Sequence, residues 1–280
     1  MNGFANQPPL TLGFLTIADA SPPQTIAAAK AGGFQGVSLR VTGRRVGDPW
    51  FDVLGNPDTL TAMQQTLRTL GMRLSNLSAY YLDGNTRAQD YQPVFEIAQQ
   101  LGAPLMVQGC FDPDRARLVD TLRQQCQLAN RYGIRIGIEF MPASPLKTLD
   151  QALSVVREVA APNLGLVIDA LHLARSGGSP SAISALDPAS IYLVQICDAP
   201  ARKPDDVDLM TEALQGRFYP GEGELPLAAL MAAIPPDVEI ECEVPKLADR
   251  HLDFAERTTR AYQATRKFLQ TLPATASSPR

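Results

Sequence analysis

No apolar run in the sequence reaches the roughly 18 residues that a membrane-crossing helix needs, so a membrane partner is not expected. The opening residues, Met-Asn-Gly-Phe-Ala-Asn-Gln-Pro-Pro, hold neither the basic nor the apolar segment of a secretory signal, so no signal peptide is expected. No cluster of basic residues offsets the net charge of −4, so the electrostatic footprint of a nucleic-acid binder is missing. The four cysteines (Cys110, Cys126, Cys197, Cys242) form no CxxC pair, and three lie in or beside strand-like runs. They read as buried free thiols in a reducing, cytoplasmic setting, not as disulfides or a zinc site. Histidine is scarce, with only His172 and His251, and there is one tryptophan, Trp50.

What is present describes a sizeable core: 45% apolar and 19% charged residues in 280. About 250 residues is the usual size of a (β/α)8 barrel. Runs at 10–17, 35–41, 72–80, 104–108, 134–142, 164–168, 191–197 and 238–244 predict strands, with Ile134, Ile136 and Ile138 giving the fifth its β-branched character. Between and after them, 22–32, 58–70, 89–101, 113–132, 146–160, 179–186, 225–234 and 248–272 predict helices, several closed by glycine. Eight βα alternations without a break predict a parallel sheet closed on itself, an α/β TIM barrel in a single domain over 1–272. The tail at 273–280 is rich in Pro, Ser and Thr and is expected to be disordered.

The last four strands each deliver an oxygen donor near the same end. Ile134-Arg-Ile-Gly-Ile-Glu139 ends in Glu139, and Leu164-Gly-Leu-Val-Ile-Asp169 ends in Asp169. Gln195 and Asp198 fall near the end of Ile191-Tyr-Leu-Val-Gln-Ile-Cys-Asp198, and Glu243 closes Val238-Glu-Ile-Glu-Cys-Glu243. A bare carboxylate on an apolar strand is costly to bury unless partnered. In a barrel the strand C-termini form the working face, so Glu139, Asp169, Gln195 and Glu243 can converge on one divalent cation. Three carboxylates and an amide are hard donors that suit Mn²⁺, Mg²⁺ or Co²⁺. Such a cation would acidify a C–H beside a carbonyl. Taken singly, each acid reads as readily as a helix cap or an arginine partner. Residues two apart share a strand face, so alternation does not separate Glu241 from Glu243. Glu243 is chosen because it is nearer the strand end.

Around these ends, His172 follows Asp169 by three residues and is a candidate proton carrier beside Glu139 and Glu243. Arg217, before Pro220-Gly-Glu-Gly-Glu224, and Arg202 sit in the connection after the seventh strand, while Arg40 and Tyr80 close strands two and three. All four are candidate substrate contacts, each weighed against a solvated or packing role. The Gly-x-Gly of 221–223 neither follows a strand directly nor opens a long helix, so it is no dinucleotide fingerprint.

Together, Gly137-Ile-Glu139, Leu166-Val-Ile-Asp169-Ala-Leu-His172, Val194-Gln-Ile-Cys-Asp198-Ala-Pro200, Pro220-Gly-Glu-Gly-Glu224 and Glu241-Cys-Glu243-Val-Pro245 resemble the sugar phosphate isomerase/epimerase family of xylose-isomerase-like TIM barrels. The resemblance implies a metal at Glu139, Asp169, Gln195 and Glu243, with His172 beside it, and supports Glu243 over Glu241. It implies a divalent-metal isomerase or epimerase acting on a keto-sugar or related polyhydroxy carbonyl compound through an enediolate. Two departures matter. Many epimerases of the family carry His where this chain has Gln195, and the Gln form also looks like the metal-dependent 3-dehydroshikimate dehydratases. The acid that epimerases place shortly after the first ligand is missing from Met141-Pro-Ala-Ser-Pro-Leu146. A metal-dependent lyase is therefore the alternative. The superfamily's abasic-site nucleases need more histidines and a basic groove than this chain has. The expected partner is a small molecule, a sugar or cyclic hydroxyketone, with no nucleic acid and no membrane, and there is room for a homo-oligomer.

Overall fold

In the computed structural model the described residues are 9–273, apart from 46, 47, 49 and 52. The leader and, but for Pro273, the expected disordered tail lie outside them. β1 (Leu10–Leu12) is followed by a single 3-10 turn and then α1 (Pro22–Gly32). Ser21 and Gln24 form a capping box at the start of α1, and Gly33 ends it at φ 105°, a conformation that favours glycine. β2 (Gly36–Leu39), α2 (Pro57–Leu70), β3 (Arg73–Leu82), α3 (Gln92–Leu101), β4 (Leu105–Cys110) and α4 (Arg115–Asn130) complete the first half. Asn56 and Asp114 cap α2 and α4 through side-chain oxygens.

The second half runs β5 (Arg135–Glu139), α5 (Leu149–Val159), β6 (Leu164–Asp169), α6 (Ala170–Arg175), α7 (Pro180–Ser184) and β7 (Ile191–Ile196). It finishes with α8 (Leu209–Gln215), α9 (Leu227–Ala233), β8 (Ile240–Cys242) and α10 (Phe254–Thr271). Among the described residues the strands pair in sequence order, all parallel, and β1 pairs with β8 to close the barrel. The single-chain (β/α)8 expectation is met.

Four stretches differ from the sequence expectation. The first strand stops at Leu12 because Gly13 brings the chain against β8: a Cβ at Gly13 would lie 2.6 Å from Glu243 Cβ. An extra short helix, α6, starts directly on Asp169, whose carboxylate accepts from His172 N–H. The connection after β7 contains α8, capped by Asp208. The last helix begins at Phe254, capped by Asp253, after a separate 3-10 turn.

Two apolar layers result. A small inner plug, Leu105, Val107, Val167 and Leu193, fills the barrel beneath the carboxylates. The larger layer lies between barrel and helices and takes in Ile136, Ile138, Leu166, Ile168, Val194 and Ile196. These belong to the same strands as Glu139, Asp169 and Gln195 but to the opposite face, as the period of two demands. All four cysteines are buried and free.

Candidate active site

Parallel register places the strand-end residues as neighbours: Asp169 opposite Gln195, Gln195 opposite Glu241, and Glu241 opposite Thr11. Glu139, Asp169 and His172 each offer a ligand atom within 4.8 Å of the others, and all three are buried. His172 Nε2 lies 3.7 Å from Glu139 Oε1. Arg217 is buried among the carboxylates, donating to Asp169 Oδ2 at 2.5 Å and standing 3.6 Å from Glu243 Oε2. Glu243 also accepts from Leu15 N–H at 3.4 Å.

Three buried carboxylates thus surround one guanidinium. Burial raises Glu139 well above the usual carboxylate range, and the charges of Asp169 and Glu243 push it further. Burial acts on Asp169 in the same sense, but Arg217 and His172 override it and hold that carboxyl low. Glu243 is raised by burial despite Arg217. Burial lowers His172 to about 4, so its imidazole is neutral near pH 7. Gln195 donates through Nε2 to Glu241 Oε1 at 2.8 Å, and its Oε1 is buried with no hydrogen-bond partner among the described residues. A surplus of buried negative charge and an orphaned amide oxygen fit a hard divalent cation, which would balance the first and satisfy the second.

Beside this cluster is a cavity of about 550 Å³, lined by Leu15, Arg40, Arg44, Trp50, Tyr81 and Arg250 among others. Arg40 is buried, donates to the carbonyls of Ser78 and Ala79, and stacks 4.4 Å over Phe14. Burial lowers its pKa to about 10, and Glu243 acts in the opposite sense. It remains a cation at neutral pH. Arg44 stacks on Tyr81, 5.2 Å from its ring centre. The two acids on the wall are engaged: Asp19 pairs with Arg257, and Asp48 accepts from Arg45 N–H.

Three sequence expectations are corrected. Tyr80 does not face the cavity; it is fully buried, packs edge-on against Tyr91, and its hydroxyl accepts from Val41 N–H. A register shift in β3 between Leu77 and Tyr80 moves the next residue, Tyr81, to the cavity side. Arg202 is exposed and pairs with Asp205. Arg217 is not presented to a substrate: its donors fall on Asp169, Cys197 and the carbonyls of Ala213 and Glu243. Sequence reasoning also passed over Tyr81, Arg44 and Arg250, which carry no motif, and the structural use of Asp198. The Asp198 carboxylate accepts from Ala199, Gly221 and Leu225 N–H groups, so it shapes the Pro220–Glu224 turn.

Comparison with known proteins adds relatives to this geometry. Residues 26–271 match the family described as a xylose isomerase-like TIM barrel. A 3-dehydroshikimate dehydratase of Pseudomonas putida is 33% identical over 146 residues, 50% of this chain and 22% of the relative. An inosose isomerase of Bacillus subtilis is 29% identical over 118 residues, 41% of each chain. The chain therefore aligns with less than half the length of these curated relatives. Among solved structures, the IOLI protein with a bound zinc atom superposes with a TM-score of 0.78 at 19% identity, covering 95% of this chain and 99% of that one. That likeness establishes the fold.

Proposed function

The chain belongs to the xylose isomerase-like TIM barrel family, and from that premise we propose that it is a divalent-metal-dependent enzyme that removes a proton beside the carbonyl of a small, carboxylate-bearing polyhydroxy ketone and expels water. Glu139, Asp169, Gln195 and Glu243 would hold the cation. When bound, it supplies Lewis acidity that makes the C–H beside a carbonyl easier to ionise. The rest falls to the chain itself. Arg40, with Arg44 behind it, draws the substrate carboxylate into the cavity and fixes its orientation. Neutral His172 accepts the α-proton as the C–H electron pair moves toward the carbonyl. That pair then forms a C=C bond as the β-hydroxyl leaves, and the proton on His172 passes to it to make water. Phe14 and Trp50 pack against the Arg40 guanidinium and hold it in place.

The observation that carries the dehydratase reading is the pair of cavity arginines without acidic partners among the described residues. An anionic substrate would complete them, and a neutral sugar would not. The isomerase or epimerase reading of the same centre has one observation in its favour: two buried carboxyl groups, Glu139 and Glu243, stand at it, the number a two-step proton exchange uses. Incubation with 3-dehydroshikimate and Mn²⁺ tests the choice. Growth of an aromatic ultraviolet band is expected, and Glu139→Gln should abolish it while the fold persists. A flat trace removes that substrate. Proton exchange from deuterated water into keto-sugars, without loss of water, would replace the dehydratase with an isomerase.

A further inference from the structure

The residue beneath the cation site is Glu241, which lies on the same strand face as Glu243 and is fully buried. Each of its oxygens accepts from one amide: Oε1 from Gln195 Nε2 at 2.8 Å, and Oε2 from Asn76 Nδ2 at 2.7 Å. Asn76 is itself held, its Oδ1 accepting from the Ser78 hydroxyl and its Nδ2 also meeting Ser75 Oγ at 3.0 Å. Both amides turn their NH₂ groups toward it, and its two oxygens are the acceptors. Gln195 then presents Oε1 on its other side, and that oxygen has no hydrogen-bond partner among the described residues.

We propose that Glu241, anchored by Asn76, is a positioning residue that locks the Gln195 amide with its oxygen turned to the cation. Without it a glutamine is an ambiguous ligand: rotation by half a turn about its last bond replaces a lone pair with an NH₂ that repels a metal. The inference rests on the metal reading of the previous subsection. It also assigns Glu241, the acid that alternation could not tell from Glu243, a role of its own. Groups that orient ligands in this way typically change metal affinity 10–100-fold when altered.

Glu241→Gln supplies the test. Asn76 would hold the new amide by its oxygen, so its NH₂ would face Gln195 and turn that side chain over. Mn²⁺ binding to the metal-free protein, read as loss of the free-ion electron paramagnetic resonance signal, should weaken about 10–100-fold, with an unchanged metal-free Tm. Glu239→Gln removes a like charge lower on the same face without touching Gln195 and should leave the affinity within about threefold. The exchange Glu241→Gln with Gln195→Glu keeps the charge and reverses the donor, again leaving one oxygen of residue 195 bare. It should restore binding, and it has the wild-type number of hydrogen bonds should the single variant fold poorly. Equal weakening by Glu239→Gln, or wild-type affinity in Glu241→Gln, overturns the positioning role alone. Failure of the wild-type protein to take up Mn²⁺, Co²⁺ or Zn²⁺ overturns the metal reading with it.

Discussion

Adjacent tyrosines do opposite work here, and substitution should separate them. Tyr80→Phe leaves a buried Val41 N–H without its acceptor, which costs about 1–3 kcal/mol. A lowered Tm with unchanged KM is expected. Tyr81→Phe, on the cavity wall, should instead move KM and spare Tm. For Arg40 the expected effect is on binding: Arg40→Met should raise KM for a carboxylate substrate about 10–100-fold, the loss of a charge-assisted hydrogen bond of about 1.5–3 kcal/mol. Steady-state kinetics check both, and a pure kcat loss in Arg40→Met would place that residue at the chemistry instead. The acids were legible because a carboxylate closing an apolar strand has few physical explanations. Tyr81 was not, because one extra residue in β3 exchanges the faces of everything after it, and nothing in Ser75-Asn-Leu-Ser-Ala-Tyr-Tyr marks where the shift falls. Arg217 misled for another reason. Its place in a polar loop argued for exposure, whereas the fold folds that loop's start down onto Asp169.

At the level of elements, the βα rhythm was readable because most strands carry β-branched residues and each long helix carries its own cap or closing glycine. The short helices α6 and α8 escaped notice since they run for only 6 and 7 residues and each rests on a single capping aspartate. The turn 220–224 is a clearer lesson. Its Gly-x-Gly pattern is no cofactor fingerprint, and Gly223 has a steric reason: a Cβ there would sit 2.5 Å from Asp198 Oδ1 and from Ala199 O. Asp198→Ala removes three N–H contacts from one buried carboxylate, so a loss of roughly 3 kcal/mol is expected. Amide hydrogen exchange at Gly221 and Leu225 should accelerate while that of β4 and β5 does not. Uniform acceleration across the barrel would mean that Asp198 supports the whole fold and not this turn.

Across the whole molecule, the inner face of the last strand region carries three acids in tiers. Glu243 lies in the candidate site, Glu241 against Gln195 and Asn76, and Glu239 at the opposite end of the barrel. Glu239, just before β8, ties three staves of the closed sheet: Arg73, the first residue of β3, donates to it at 2.7 and 3.0 Å, and the Thr11 hydroxyl of β1 also donates. Partial burial alone would raise this carboxyl, but the Arg73 and Thr11 contacts reverse that and hold it below the ordinary range. A carboxyl whose folded pKa lies below its unfolded value, about 4.3 for Glu, stabilises the fold above that pH. The contribution fades as the pH falls through the lower folded value. Arg73 is partly exposed, so the contribution should stay below about 1 kcal/mol. Urea midpoints of the metal-free protein and of Glu239→Gln, compared from pH 6 to pH 3, should differ by a constant amount above about pH 5 and converge on further acidification. Burial shifts Glu139, Glu241 and Glu243 the opposite way, above the ordinary carboxylate value, so their signature is distinct from this one. A gap that persists unchanged to pH 3 would show that Arg73 and Thr11 hold the base of the barrel without drawing on the charge of Glu239.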